Sequence, residues 1–186
     1  MSTDSVSTFF ALLALGCAVG TVSAWAVGIV GSRSPDSMAG AVRAGLSDVA
    51  LWLGGIVALT ATLGSLYYSL VAHYEPCELC WYQRICLYPL VPILLVGAFR
   101  RDRRVWMYAV VPTAVGLVIA TYHTQLQAFP KQHSFCSLNN PCTNRYVWEF
   151  GFVSLPLMDL IALGFIATML WLAGSGPTEP HPEEEH

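Results

Sequence analysis

Five uncharged apolar runs dominate the alternation of hydrophobic and polar positions. They cover residues 9–30, 49–72, 85–99, 105–122 and 150–173, the last interrupted only by Asp159. A membrane-spanning helix needs about 20 mostly apolar residues, with a range of about 17–25. The third run reaches that length when residues 81–83 are added and Arg84 snorkels or binds something. The pattern therefore predicts an all-α membrane protein with five spanning helices. Polar stretches separate them: a Gly/Ser/Pro-punctuated linker over 31–48, a tight turn over 100–104, and a long loop over 123–149. Pro89, Pro92 and Pro112 fall inside predicted helices. Packed membrane bundles tolerate prolines because neighbours re-satisfy the freed carbonyls, so kinks are expected there.

Composition agrees with this reading. The chain is 55% hydrophobic and 11% charged, where a soluble domain carries about 25% charged residues. Basic residues are too few and too scattered for a nucleic-acid surface. Val22-Ser23-Ala24 is similar to a small-residue cleavage site, and Leu15-Gly16-Cys17 to a lipoprotein site. No positive charge precedes the first run, which continues past both, so an uncleaved helix is expected. The acidic end over 174–186 reads as a disordered tail.

Basic residues set the expected orientation. The 31–48 linker and the 100–104 turn carry Arg33, Arg43, Arg100, Arg101, Arg103 and Arg104. They share a face if all five helices span, and that face is cytoplasmic. The C-terminus is then inside. Cys77, Cys80, Cys136 and Cys142 lie outside, where disulfides persist.

The stretch Tyr74-Glu-Pro-Cys-Glu-Leu-Cys-Trp-Tyr-Gln-Arg84 sets a Cys-x-x-Cys pair against the start of the third run. Pro76, Glu75 and Glu78 suit a helix N-terminus. Cys80 and Arg84, four apart, share a face of that helix. The helix end and the guanidinium both favour a thiolate, so Cys80 is expected to be the acidic thiol. Cys136 and Cys142 form a second close pair in the long loop. They suit a structural disulfide, a zinc site shared with the first pair, or electron relay by thiol–disulfide exchange. Cys17 and Cys86 lie inside apolar runs and read as small packing hydrophobes. Trp81 stands where haem attachment would need His.

Several motifs together resemble one family. Cys77-Glu-Leu-Cys80-Trp-Tyr-Gln-Arg84 is similar to the active-site segment of the DsbB family, closest to its short-loop BdbC-type branch. Tyr122-His123-Thr-Gln-Leu-Gln127, the loop pair from Phe135-Cys136 to Pro141-Cys142, and Ser154-Leu-Pro156 resemble later family segments in the expected order. The likeness covers residues 48–173. It implies a four-helix transmembrane bundle as catalytic core, with residues 1–47 as an extra N-terminal helix and linker. Both cysteine pairs fall within that core, so the first helix is expected to be dispensable for the chemistry.

The resemblance implies a protein dithiol:quinone oxidoreductase that makes disulfides de novo. Its cofactor would be a quinone, ubiquinone or menaquinone, drawn from the membrane pool. Its partner would be an extracytoplasmic thioredoxin-fold dithiol oxidase of the DsbA-like kind. Cys80 would face the quinone with Cys77 as its disulfide partner, and Cys136/Cys142 would be the shuttle pair. Arg84, Gln83 and His123 would contact the quinone. Asp159 is an unusual acid in the last helix and a candidate proton donor. Three other readings stand beside this one. They are a vitamin K epoxide reductase-like enzyme, in which the loop pair would come first; a metal-binding membrane protein using the four external thiols; and a scaffold bundle with structural disulfides only.

Overall fold

The computed structural model describes residues 3–132, 136 and 140–175. Phe135, residues 137–139 of the expected loop turn and residues 176–186 of the acidic tail lie outside them. Six α-helices follow in order: α1 Thr3–Arg33, α2 Met38–Leu70, α3 Glu78–Leu87, α4 Leu90–Arg100, α5 Trp106–Ala128 and α6 Leu155–Gly174. Five segments are long and apolar enough to cross a membrane, with α3 and α4 together forming one of them, Glu78–Arg100. No strand occurs among the described residues, apart from an isolated bridge between Glu149 and Val153. The chain is a multi-pass, all-α membrane protein.

Local chemistry explains most boundaries. The third span breaks at Tyr88-Pro89, where proline cannot donate to the preceding turn. Pro112 stays inside α5. Arg101 ends α4 in the left-handed region (φ 53°), and Asp102 N–H closes back on the Gly97 carbonyl at 2.9 Å. The Asp102 carboxylate then accepts from the Arg104 N–H at 2.9 Å, completing the turn. Ser154 holds the N-cap position of α6 without a side-chain capping bond, and Pro156 sits in the first turn.

Two boundaries differ from expectation. Most of the 31–48 linker is helix, because α2 begins at Met38 with Ser37 as N-cap accepting from Gly40 N–H at 3.3 Å. The connection to α1 is thus a tight turn. The 123–149 loop also starts later, since α5 continues to Ala128 and carries His123 in its last turns.

The core lies between α2, α4, α5 and α6, around Leu90, Leu94, Leu163, Ile166 and Leu172. Lipid tails are as apolar as leucine, so association in a bilayer depends on close packing and polar contacts rather than on expulsion of water. Small residues supply that closeness, among them Ala50, Ala58, Ala109 and Ala120, all with no exposed surface. Gly116 does the same where α5 meets α3 and α6. A Cβ there would lie 3.0 Å from Leu163 and 3.1 Å from Cys86.

α1 belongs to this packing. Trp25 stacks on Trp171 with ring centroids 5.4 Å apart and donates to Thr168 Oγ1 at 3.0 Å. At the other end Tyr68 Oη and Ser7 Oγ are 3.2 Å apart and buried. Thr8 Oγ1, 3.0 Å from the Asp4 carbonyl, also lies 3.3 Å from Glu149 Oε2, which brings α1 against the segment before α6.

Candidate functional site

The Cys-x-x-Cys pair opens α3. Cys77 is the N-cap residue, with extended backbone, and its own sulfur accepts the Cys80 N–H at 3.4 Å. The two sulfurs are 2.8 Å apart and form a dithiol rather than a disulfide. His123 reaches in from α5, with Nε2 3.7 Å from Cys77 Sγ. The Cys80 side chain, and after it His123, hold the Cys77 thiol down at about 5, against the opposing effect of burial. The expectation that Cys80 is the acidic thiol is therefore corrected. The helix N-terminus favours a negative charge, but the sulfur that receives its N–H is that of the capping residue.

Cys136 and Cys142 are joined in a disulfide. It packs with Cys77, Leu79 and Leu126 in one small buried cluster, so the two pairs are neighbours. His123 is the link. Its Nε2 also lies 3.1 Å from the Cys142 carbonyl, and its Nδ1 lies 2.9 Å from Gln83 Oε1. Nε2 thus faces both Cys77 and the Cys142 carbonyl, and Nδ1 faces Gln83. His123 is 1% exposed, a buried bridge between the two pairs. The loop disulfide is less open than a freely approachable loop pair would be: Cys136 is 8% and Cys142 1% exposed.

On the other side of the dithiol lies a cavity of about 320 Å³. Cys80, Gln83, Arg84, His123 and Asp159 line it, and Cys77 does not. Both cysteines pack with the loop disulfide, Cys77 inside its cluster and Cys80 against it, and of the two it is Cys80 that also lines the cavity. Arg84 does not hydrogen-bond Cys80. Its Nε donates to Ser65 Oγ at 2.9 Å, its Nη2 to the Ser65 carbonyl at 3.1 Å and to the Ser69 hydroxyl. Tyr88 Oη adds a bond to Ser65 Oγ at 3.1 Å. Arg84 also lies over the Trp81 ring, 5.2 Å from its centroid. Asp159 faces Gln83 and His123. Neither Gln83 Nε2 nor Asp159 Oδ2 has a hydrogen-bond partner.

Sequence reasoning missed Ser65 and Ser69, which fix the guanidinium. Their spacing of four on an apolar helix was the available signal, since it puts two hydroxyls on one face. It also missed Phe10, Leu13, Ala14 and Cys17 of α1, all of which line the cavity. The cavity wall therefore draws on α1 as well as on residues 48–173.

A reduced dithiol beside an intramembrane cavity, in contact with a loop disulfide, defines a membrane thiol–disulfide protein. Residues 47–173 match the family model described as disulfide bond formation protein DsbB. The chain belongs to the DsbB family. It is 39% identical over 125 residues to a probable disulfide formation protein C 2 of Bacillus cereus, covering 67% of this chain and 90% of that protein. It is 42% identical over 125 residues to a probable disulfide formation protein C of Halalkalibacterium halodurans, covering 64% of this chain and 91% of that one. Disulfide bond formation protein C of Bacillus subtilis is 40% identical over 126 residues, covering 67% and 91%. No solved structure matches the chain.

Proposed function

We propose that this protein oxidises an extracytoplasmic thioredoxin-fold dithiol partner and passes the electrons to a membrane quinone. The observation that carries the reading is the placement of the membrane pair: Cys77 lies in the cluster of the loop disulfide, and Cys80, packed against that cluster, also lines the cavity. The cavity suits a quinone. It offers polar groups at one end, two of them with unpartnered buried atoms, and apolar walls elsewhere. A bound quinone would supply a two-electron, two-proton acceptor.

The residues then divide the work. A partner thiolate attacks Cys136, the more accessible sulfur of the loop disulfide, and Cys142 leaves as a thiolate. The partner's second thiol displaces Cys136, so the partner becomes a disulfide and the loop pair a dithiol. That dithiol reduces a Cys77–Cys80 disulfide by the same exchange, which regenerates the loop disulfide beside a membrane dithiol. The Cys77 thiolate and the Cys80 thiol then re-form their disulfide, giving up two electrons and the Cys80 proton on the cavity side, where a bound quinone would take them with a second proton and become quinol. Arg84, fixed by Ser65 and Ser69, stabilises negative charge there. His123 holds the Cys77 thiolate and fixes Gln83 through its other ring nitrogen. Asp159 Oδ2 delivers a proton to the cavity. With the six loop and turn arginines cytoplasmic, both pairs work outside.

Mass spectrometry of small molecules extracted from gently purified protein tests this reading. One quinone per chain is expected, lost on Arg84→Leu. Absence of any quinone from active protein sinks it. A second reading has one observation in its favour. Ligand atoms of Cys77, Cys80 and His123 lie within 4.8 Å of one another, close enough to hold a metal ion together. The four-thiol version of that reading does not suit this arrangement, because Cys136 and Cys142 are bonded to each other. Stoichiometric zinc or copper in active protein would favour the three-ligand version.

A further inference from the structure

The cavity beside Cys80 is not built by the family-matching segment alone. The match begins at residue 47, yet α1 contributes Phe10, Leu13, Ala14 and Cys17 to the wall. These recur at spacings of three and four, so they lie on one face of α1. Phe10 is held against α2 where Gly64 leaves room, since a Cβ at Gly64 would lie 3.0 Å from the Phe10 ring. The Ser7–Tyr68 and Thr8–Glu149 contacts fix the same end of α1.

The wall changes character with depth. On α2 the lining runs from Ser69 to Ile56, which at 1.5 Å per residue is about 20 Å along the helix. The charged and polar groups gather at the Cys80 end. The far end, between α1 and α2, is formed by apolar side chains including Leu13, Ala14, Ile56 and Val57. A ring that accepts electrons at Cys80 does not reach that far. A long apolar substituent on the ring does.

Resting on the quinone reading above, we propose that α1 is the tail-binding wall of the quinone site. It covers the first isoprenoid units of the quinone and so sets the preference for long-tailed over tail-less acceptors. Residues 1–33 are then part of the redox machinery, although they lie outside the segment shared with the family.

Photo-crosslinking of the full-length protein in lipid tests this, using a quinone with a photoreactive group within its isoprenoid tail. Peptide mass spectrometry is expected to find the label on residues 10–17. Binding supplies a second readout. Leu13→Trp, at a partly exposed position that tolerates the change, and Ala14→Phe narrow the far end. Each is expected to raise the ratio of long-tailed to tail-less dissociation constants by about tenfold, or about 1.4 kcal/mol. Label confined to α2 and α6 peptides overturns the proposal while leaving the quinone site standing, and so does an unchanged ratio in both variants. If the wild type binds neither quinone, the quinone reading has failed and this proposal falls with it.

Discussion

Removing His123 should move the ionisation of Cys77, and the structure gives the size of the move. The Cys77 thiol is held at about 5, where an ordinary thiol would sit at 9.0. His123 approaches it to 3.7 Å. A hydrogen bond to a charged group contributes about 1.5–3 kcal/mol, and each pH unit corresponds to about 1.36 kcal/mol. His123→Ala should therefore raise the Cys77 midpoint by about one to two units, while the larger influence of Cys80 keeps it below the ordinary thiol value. The assay is the pH dependence of alkylation by a small reagent on reduced protein, with each modified cysteine assigned by peptide mass spectrometry. The sign for stability follows from linkage. A depressed thiol stabilises the reduced fold fully above the ordinary thiol value and loses that contribution as pH falls through about 5. The reduced wild type should lose thermal stability across that window, and His123→Ala should show a smaller loss. An acid-side midpoint that maps to Cys80, or a Cys77 midpoint left at about 5 in His123→Ala, refutes the reasoning.

Other outcomes follow from the same geometry. Cys142→Ser should accumulate a mixed disulfide between Cys136 and the dithiol partner, visible as a non-reducing gel shift, because the resolving sulfur is gone. Arg84→Leu should weaken quinone binding by about tenfold or more and leave partner exchange at the loop nearly unchanged, measured as separate half-reactions. Gly40→Ala puts a Cβ 2.0 Å from the Pro35 carbonyl oxygen in the α1–α2 turn. It should cost about 1–3 kcal/mol in denaturant unfolding. A reporter fused after Gly174 should be cytoplasmic, with Cys136 and Cys142 labelled from outside after reduction.

The helices were legible because a bilayer allows few ways to satisfy backbone groups, so length and lack of charge alone mark a span. The start of α2 was not. Gly40, Gly45 and Arg43 mimic a linker, yet Arg43 only reaches across to Ser175 at the end of α6, and helix continues beneath it. The identity of the site residues was carried by motif resemblance, while their electrostatics turned on one residue of helix boundary. Placing the cap at Cys77 moves the acidic thiol from Cys80 to Cys77, and sequence alone fixes helix ends no better than that. Arg84 illustrates the same limit. Its spacing to Cys80 suggested a direct pair, but Ser65 and Ser69 on another helix capture it. The α1 wall depends on long-range packing that no local pattern encodes.

If dithiol oxidation outside the membrane is coupled to quinone reduction within it, the two products form together. The most direct measurement mixes purified protein, a reduced thioredoxin-fold partner and quinone, and counts both products. One quinol is expected for each partner disulfide, with turnover abolished by serine at any of Cys77, Cys80, Cys136 or Cys142. Partner oxidation that proceeds without quinol, or that survives loss of Cys80, would contradict it.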